Sequence, residues 1–500
     1  MDLSTVLRDV EIVQRAGPNP AVTNVEYDSR RVGAGSVFVA FRGGTTDGNL
    51  YIPQAVAQGA RAIVTDSAIA FAAAVQYPEL GLVEVVHGRR ALAALSANFF
   101  AHPEAELHLS GVTGTNGKTT TAFVLEAMLG YQGRKTVLAG TIEYHAAGRI
   151  FPAPHTTPES RDLIELFREG VNGGATEAVM EVSSHALDQQ RVAGLQFDVA
   201  IFTNLTRDHL DYHHTMEEYF AAKRKLFDGS IAPPPRAAIL NQDDAYGVRL
   251  QAIAQAAGTE SGFTYGMHGG DFHADRLRME PGGMTFTLVT PMGDVPVRTR
   301  LTGGVNVYNL LAAGAAAVAR GLTLEQVAAG AAALDSVPGR FQSVDGGQNF
   351  AVIVDYAHTD DALRNIIAVA RAFVAKAEGR VITLFGCGGD RDRSKRPLMG
   401  KAAGEGSDVV VLTSDNPRSE SPRAIIDEVL PGLRGTQAKV IVEPDRRRAI
   451  ALAIAEAWQG DLVLLAGKGH EKTQTIGQQV IPFDDVAIVR QILLARDEGK

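Results

Sequence analysis

An α/β fold divided among three domains is predicted by three features of the sequence. Residues 106–129 read as strand, glycine-rich turn and helix; residues 337–500 hold apolar runs separated by helical stretches; and residues 1–105 alternate short apolar strands with Ala-rich helices. Short, wholly apolar runs bounded by polar loops suit parallel strands covered on both faces. Strands alternating with helices are the mark of a layered α/β domain. A chain of 500 residues is also too long for a single hydrophobic core.

In the N-terminal unit, residues 1–105, Val37–Ala40 and Ala62–Val64 read as strands and Tyr51–Gln58 as a helix, with polar loops at Asp28-Ser29-Arg30-Arg31 and Arg42-Gly43-Gly44. The central unit, residues 106–336, opens with a buried strand carrying Leu107, Leu109 and Val112. A helix with the apolar stripe Phe123, Val124, Ala127 and Met128 follows. Between them lies Gly114-Thr115-Asn116-Gly117-Lys118-Thr119-Thr120. Free N–H groups and a helix N-terminus in such a turn hold a phosphate chain. Lys118 is placed for the outer phosphates and the Thr119 hydroxyl for Mg²⁺, although Val112 occupies the first glycine position of the usual pattern. Two further strands, Glu177–Val182 and Phe197–Thr203, end at Ser183-Ser184-His185 and at Asn204-Leu205-Thr206-Arg207-Asp208-His209. Pro233-Pro234-Pro235 reads as a stiff surface turn, Leu310–Ala319 as a buried helix too short to span a membrane, and Val337-Pro338-Gly339 as a linker.

The last unit, residues 337–500, reads as a doubly wound sheet with strands at Ala351–Val354, Val381–Phe385, Val409–Thr413, Val440–Val442 and Leu462–Leu465. Four of them run into polar loops: Asp355-Tyr356-Ala357-His358, Gly386-Cys387-Gly388-Gly389-Asp390-Arg391, Ser414-Asp415-Asn416-Pro417-Arg418 and Gly467-Lys468-Gly469-His470-Glu471. Ligands of open parallel sheets bind at the carboxyl ends of strands, so these loops mark one site.

The net charge of −9 argues against a nucleic-acid binder. Cys387 is the single cysteine, which forbids an intrachain disulfide and fits a reducing compartment. The N-terminal stretch MDLSTVLRDVE is charged and lacks the apolar core of a signal peptide. A cytoplasmic protein without membrane insertion is expected.

Lys223 interrupts the apolar stripe Met216, Tyr219, Phe220, Leu226, Phe227 of a helix predicted over Thr215–Phe227. One reading is a lysine that snorkels to water. The other is a desolvated lysine of lowered pKa, whose neutral amine takes up CO₂ as a carbamate and becomes a carboxylate-like metal ligand. Glu181, Asp208 and His209 at nearby strand ends are Mg²⁺-compatible donors and, with Lys118, suggest a second metal.

Taken in order, Gly114–Thr120, Glu181-Val182-Ser183-Ser184-His185, Asn204-Leu205 with Asp208-His209-Leu210-Asp211-Tyr212-His213, Ala222-Lys223, Pro338-Gly339-Arg340 and Asp355-Tyr356-Ala357-His358 resemble the motifs of the Mur ligase family. These are ATP-dependent amino-acid ligases of bacterial peptidoglycan synthesis, and the resemblance spans nearly the whole chain. It implies a UDP-substrate-binding domain (1–105), a central ATP-binding ligase domain (106–336) and a C-terminal Rossmann-like domain receiving the amino acid (337–500). It also implies a carbamylated Lys223 and two Mg²⁺ ions, one through Thr119 and one through Glu181, His209 and Lys223. Asn306 and Arg340 would join Gly114–Thr120 around the nucleotide. Thr156, Thr157, Ser183, Gln189 and Arg191 would contact a UDP-muramyl dipeptide, with Ser29 at its uridine end.

Asp415-Asn416-Pro417-Arg418 resembles the signature of the members that add meso-diaminopimelate; with Gly467 it would line the acceptor site. Physical reasoning agrees, because diaminopimelate is lysine with one more, distal, carboxylate. Arg418 offers a planar fork for a carboxylate, Glu471 a partner for the distal ammonium, and Arg391 a partner for a second carboxylate. With lysine a guanidinium would be left unpaired, and polar sites reject such analogues by ~10⁴-fold or more. The expected reaction phosphorylates the D-glutamate γ-carboxylate and then joins the acyl phosphate to the acceptor amine. The sequence departs from the family pattern at Val305, where an aromatic usually precedes Asn306, and at Asp360, where proline usually stands. Val112 matches the family's shorter loop. Rival readings are a ligase for L-lysine or glutamate (as in folylpolyglutamate synthetases), a P-loop switch or motor, and a non-catalytic precursor-binding regulator. A monomer is expected.

Overall fold

The computed structural model describes residues 1–44, 46–280, 283–375 and 378–498. The first sheet has five strands in the spatial order Ile12–Ala16, Gly81–Val85, Ala62–Thr65, Ser36–Ala40, Asn24–Glu26. All neighbours pair in parallel except the first two. Ser36–Ala40 is buried along its whole length, which is why its sequence is apolar without alternation.

The second sheet has eight strands, ordered Ser261–Tyr265, Ala237–Asn241, Val199–Phe202, His108–Thr113, Glu177–Glu181, Thr136–Ala139, Glu143–Ala146 and Arg149–Pro152. His108–Thr113 lies between Val199–Phe202 and Glu177–Glu181, parallel to both, so Gly114, Val182 and Thr203 leave the sheet at one edge. Val112 belongs to this strand, paired with Glu181 and Ile201, and not to the turn.

The helix Lys118–Tyr131 differs from the single-stripe expectation. Thr119 through Leu125 are all buried, because Gly304–Ala319 and Leu324–Ala333 cover the side away from the sheet. Gly330 lets the chains approach, since a Cβ there would stand 2.5 Å from Met128 Cα. The Leu310–Ala319 run is the buried heart of its helix, and among the described residues no helix is long and apolar enough to cross a membrane.

A three-stranded antiparallel sheet, His273–Glu280, Gly283–Thr290 and Gly293–Thr299, was not anticipated. Its inner residues Met284, Phe286, Leu288, Val295 and Val297 join the core formed by the helix Gly304–Ala319. Their period-two spacing was the available signal.

The last sheet runs Gln342–Ser343, Ala351–Asp355, Leu462–Ala466, Val381–Phe385, Val409–Leu412, Lys439–Val442, all parallel after the first pair. One core holds Asp360–Val374, Lys395–Gly406 and Pro422–Leu433 against one face, and another holds Arg446–Glu456 and Asp485–Glu498 against the opposite face. That is the doubly wound arrangement expected. The 337–339 linker is a packed turn: Val337 is buried, Gly339 sits at φ +62°, and a Cβ on it would meet His470 N at 2.1 Å. The predicted Thr215–Phe227 helix is shorter, Met216–Arg224, with Thr215 as its cap in a capping box with Glu218.

Candidate functional site

Three strand ends and one helix start build the phosphate turn. Gly114 and Gly117 have φ of +149° and +88°, and side chains there would strike Thr203 Oγ1 at 1.8 Å and Asn309 Oδ1 at 2.5 Å. Only glycine meets both demands. Asn204 tethers the turn: its carbonyl accepts from Thr115 N–H and its Oδ1 from Asn116 N–H. Lys118 starts the helix and folds its Nζ onto the carbonyls of Gly114 (2.9 Å) and Thr115 (3.0 Å). Thr119 Oγ1 donates to Glu181 Oε2 (2.9 Å) and accepts from Arg340 (3.0 Å). Thr120 is buried behind them.

Arg340 reaches across from the last unit and stacks on Tyr356, with its guanidinium 4.8 Å from the ring centroid. Asn306 sits one helical turn before Asn309 and accepts from its amide, so the two act on one face of their helix. Val305 is exposed and lines the same cleft. That cleft, about 510 Å³, is bounded by the turn residues 115–120, Thr156, Glu181, Ser183, His209, Asn306, Arg340, Tyr356 and His358. Thr141, Thr203, Tyr265, Tyr308, Asn309 and Asp361 share in it and were missed. Asn309 was discoverable from its i+3 spacing to Asn306. Thr141 follows the parallel strand Thr136–Ala139, whose end was not recognised.

Lys223 is buried rather than snorkelling, with 1% of it exposed. Its Nζ donates to Gly114 O (2.8 Å), the carbonyl that Lys118 also uses, and lies over the Tyr219 ring. Burial, and then the charge of Lys118, hold its ammonium well below the ordinary lysine value. A neutral amine is the form that takes up CO₂, and a carbamate would turn two like charges into an opposite pair. The site therefore fits that modification. Glu181 is buried, and its carboxylate accepts from Thr119 and from Thr141 N–H (2.7 Å). This all-oxygen pair suits Mg²⁺.

His209, at φ +53°, is pushed down to about 4 by desolvation, with His185, Lys118 and Lys223 opposing the pull of Asp208. A neutral imidazole is the ligating form. Glu181 and His209 both line the cleft, and Lys223 meets the turn at Gly114. Tyr219 packs against both His209 and Lys223, and among the described residues no three His, Cys, Asp or Glu side chains are grouped to hold a metal.

The residues predicted for the UDP-substrate cluster beside Glu181. Thr157 Oγ1 donates to Glu181 O (2.8 Å) and accepts from Ser183 N–H (3.0 Å). Arg191 donates to Thr157 O (2.9 Å) and Gln189 Oε1 (2.8 Å), and Thr156 pairs with Thr141. Ser29 stands apart in the first unit, bonded to Gln54, while its neighbours Tyr27 and Arg31 reach Asp162 of the central unit.

The four polar loops lie at one edge, as their strands are neighbours in the order 351–355, 462–466, 381–385, 409–412. Arg418 is half-buried, at φ +51°, with Nη1 donating to Gly389 O (2.7 Å) and its backbone tied to Thr475 and Gly477. Non-glycine residues held in this region cluster at functional sites; Asp390 is a second, at φ +53°. A Cβ on Gly388 would stand 3.1 Å from Arg418 Nη1 and 3.7 Å from Arg391 Cγ, so the two arginine side chains pass the same glycine. Arg391 is exposed. Asn416 donates to Glu471 Oε2 (2.8 Å), and Gly467 passes Asp415 with room for no more than ordinary contact. This group lies beside the 510 Å³ cleft and joins it through Tyr356, whose ring packs on His470 at 4.9 Å.

Asp360 opens the helix Asp360–Val374, where an acid favours the positive helix end, and pairs with Arg207 of the central unit at 2.6 Å. Asn116 reaches the adjacent Asp361 (3.3 Å), so the phosphate turn is tied directly to the last unit.

Family models match in three consecutive pieces: Mur ligase family, catalytic domain, at residues 21–100; Mur ligase middle domain at 112–317; and Mur ligase, glutamate ligase domain, at 339–469. The chain is 50% identical over 499 residues to the UDP-N-acetylmuramoyl-L-alanyl-D-glutamate–2,6-diaminopimelate ligase of Solibacter usitatus, covering 99% of this chain and 98% of that one. It is 46% identical over 485 residues to the ligase of the same name from Geobacillus kaustophilus, with 96% of each chain covered. A solved structure of a ligase so named superposes with a TM-score of 0.67 at 33% identity, covering 95% of both chains.

Proposed function

The chain belongs to the Mur ligase family, and from that premise we propose that it adds meso-2,6-diaminopimelate to UDP-N-acetylmuramoyl-L-alanyl-D-glutamate with cleavage of ATP, in bacterial peptidoglycan precursor synthesis. The observation that carries the acceptor is the pair Arg391 and Arg418, both next to Gly388, with the Asn416–Glu471 pair on the neighbouring loops. Two guanidinium arms and a carboxylate complement a molecule with two carboxylates and a distal ammonium. L-lysine would leave one arm without a partner.

The cleft supports a two-stage reaction. The γ-carboxylate of the D-glutamyl residue attacks the γ-phosphorus of ATP; the bond to the β–γ bridging oxygen breaks, and ADP leaves with that electron pair. The acyl phosphate carries a good leaving group that a carboxylate lacks. The acceptor amine then attacks its carbonyl carbon, inorganic phosphate departs, and the amine proton is lost as the amide forms. The dipeptide carboxylate would enter past Thr157, Ser183 and Arg191, whose mutual bonds fix them before substrate arrives. The phosphates would displace Lys118 from the carbonyls of Gly114 and Thr115, freeing its ammonium for the charge that develops during transfer. Mg²⁺, held through Thr119 at one position and through Glu181, His209 and carbamylated Lys223 at another, would supply further charge neutralisation. Arg340 is placed to follow the nucleotide from the last unit.

In this reading residues 1–105 bind the UDP end, 106–336 bind ATP and activate the carboxyl group, and 337–500 bind the amino acid, in a cytoplasmic monomer. One assay tests it: phosphate release with the UDP-dipeptide and, in turn, diaminopimelate, L-lysine or L-glutamate. Release only with diaminopimelate is expected; equal release with lysine, or release without any amino acid, would overturn it.

A further inference from the structure

Building on that acceptor assignment, we propose that Lys468 is a positioning residue that sets diaminopimelate affinity by holding the Glu471 carboxylate in place. Lys468 is wholly buried, and its Nζ faces Glu471 Oε2 (3.0 Å), Asn416 Oδ1 (3.2 Å) and Asp415 Oδ1 (3.5 Å). An ammonium only donates, so it fixes the Asn416 amide with its oxygen inward and its nitrogen toward Glu471 Oε2, at 2.8 Å. That oxygen of Glu471 thus receives two donors, while Oε1 has no hydrogen-bond donor among the described residues. The carboxylate presents one oxygen, in one orientation, to an incoming ammonium.

The surroundings separate this role from simple scaffolding. The ends of the two strands beneath are already stapled by Arg446, also wholly buried, which donates to Ser414 O and Ala466 O and pairs with Asp485 at 2.7 Å. Asn416 has a second tether, because its oxygen also accepts from Thr475 N–H (3.0 Å). Glu471, with 29% of its side chain exposed, has no cation besides Lys468 within ion-pair distance among the described residues. Loss of the ammonium therefore falls on the two carboxylates it pairs with, and of these Glu471, the more exposed, is free to turn toward water.

The test is steady-state kinetics on the full-length enzyme with Lys468→Met, Glu471→Gln and the double variant. Lys468→Met is expected to raise the KM for diaminopimelate by about 10–100-fold, as loss of an outer partner does for other preorganised sites. The KM values for ATP and UDP-dipeptide, and kcat at saturating diaminopimelate, should stay within about twofold, a split that a merely structural lysine would not produce. Added to Glu471→Gln, Lys468→Met should raise the diaminopimelate KM by less than about twofold more, since both act at one carboxylate. Parallel rises in all three KM values, or a further tenfold loss in the double variant, would overturn the proposal. Should the single variant not fold, the charge-neutral double variant against Glu471→Gln decides the question alone. Wild-type enzyme that turns over no diaminopimelate would overturn the acceptor assignment and this proposal with it, before any variant is made.

Discussion

Replacing Arg418 by lysine keeps a cation in place but removes the planar fork, and the cost follows from the bonds the arginine has to spare. Its Nη1 is committed to Gly389 O, while Nε and Nη2 make no hydrogen bond among the described residues. Two charge-assisted bonds to a carboxylate are therefore available, each worth about 1.5–3 kcal/mol. Arg418 is only half-buried, so solvent halves the gross figure to about 1.5–3 kcal/mol, or about 10–150-fold in affinity. Arg418→Ala should raise the KM for diaminopimelate by that factor, and Arg418→Lys, which keeps one bond, by about 3–12-fold. The KM for ATP should stay within about twofold in both, because Arg418 is not among the described residues that line the nucleotide cleft. Arg418→Gly adds a control: it relieves the left-handed backbone, so diaminopimelate affinity should fall without loss of thermal stability. The assay is phosphate release against acceptor concentration, repeated with L-lysine. Equal acceptor KM values for wild type and Arg418→Ala would refute the specificity argument.

Lys223→Ala is expected to retain less than about one-thousandth of kcat with its fold intact, and to regain part of it with short carboxylates; full activity without additives would contradict a carbamate at this position. Thr119→Ala removes the hydroxyl shared by Glu181 and Arg340, and should lower kcat at least about 100-fold while weakening the Mg²⁺ dependence, checked by metal titration. Asp360→Ala breaks the pair with Arg207 between central and last units; a change in kcat below about threefold is expected, since exposed pairs contribute about 1 kcal/mol at most, and a hundredfold loss would mean the pair is part of the catalytic arrangement. His145 offers a pH test. Desolvation lowers its pKa, but Glu126 and Glu143 outweigh that and hold it up at about 9. A histidine raised in the folded state stabilises fully below its unfolded value near 6.5 and loses that contribution as pH climbs through about 9. The melting-temperature deficit of His145→Gln should thus be larger at pH 6 than at pH 10; an unchanged deficit would show the ion pairs to be idle.

Much of the site was legible because its chemistry is local in sequence. The turn around Gly114 and Gly117, the four loops ending parallel strands, and Lys223 amid apolar helix positions each announce themselves within a few residues. What escaped depends on pairings that no local pattern encodes. The antiparallel sheet of residues 273–299 has alternation on its inner face, but its Arg276 and Arg278 interrupt the outer pattern and the strand shifts register between Asp275 and Arg278. Thr141 matters only because its strand lies next to the one ending in Glu181. Lys468 reads as one more polar residue of a loop until Asp415, Asn416 and Glu471 are seen to converge on it. Lys223 was expected on a longer helix; the chain bends after Arg224, and Leu226 and Phe227 reach the core from the turn that follows.

The close passage of Gly339 against the Gly469–His470 backbone makes the connection to the last unit an axle seated on the acceptor loop. Rotation about such an axle would part the Asn116–Asp361 and Arg207–Asp360 contacts long before it disturbed Glu471, so the nucleotide end would gape while the amino-acid end kept its shape. A methyl group at position 339 has nowhere to go, so the seat of that axle is one that only glycine fits.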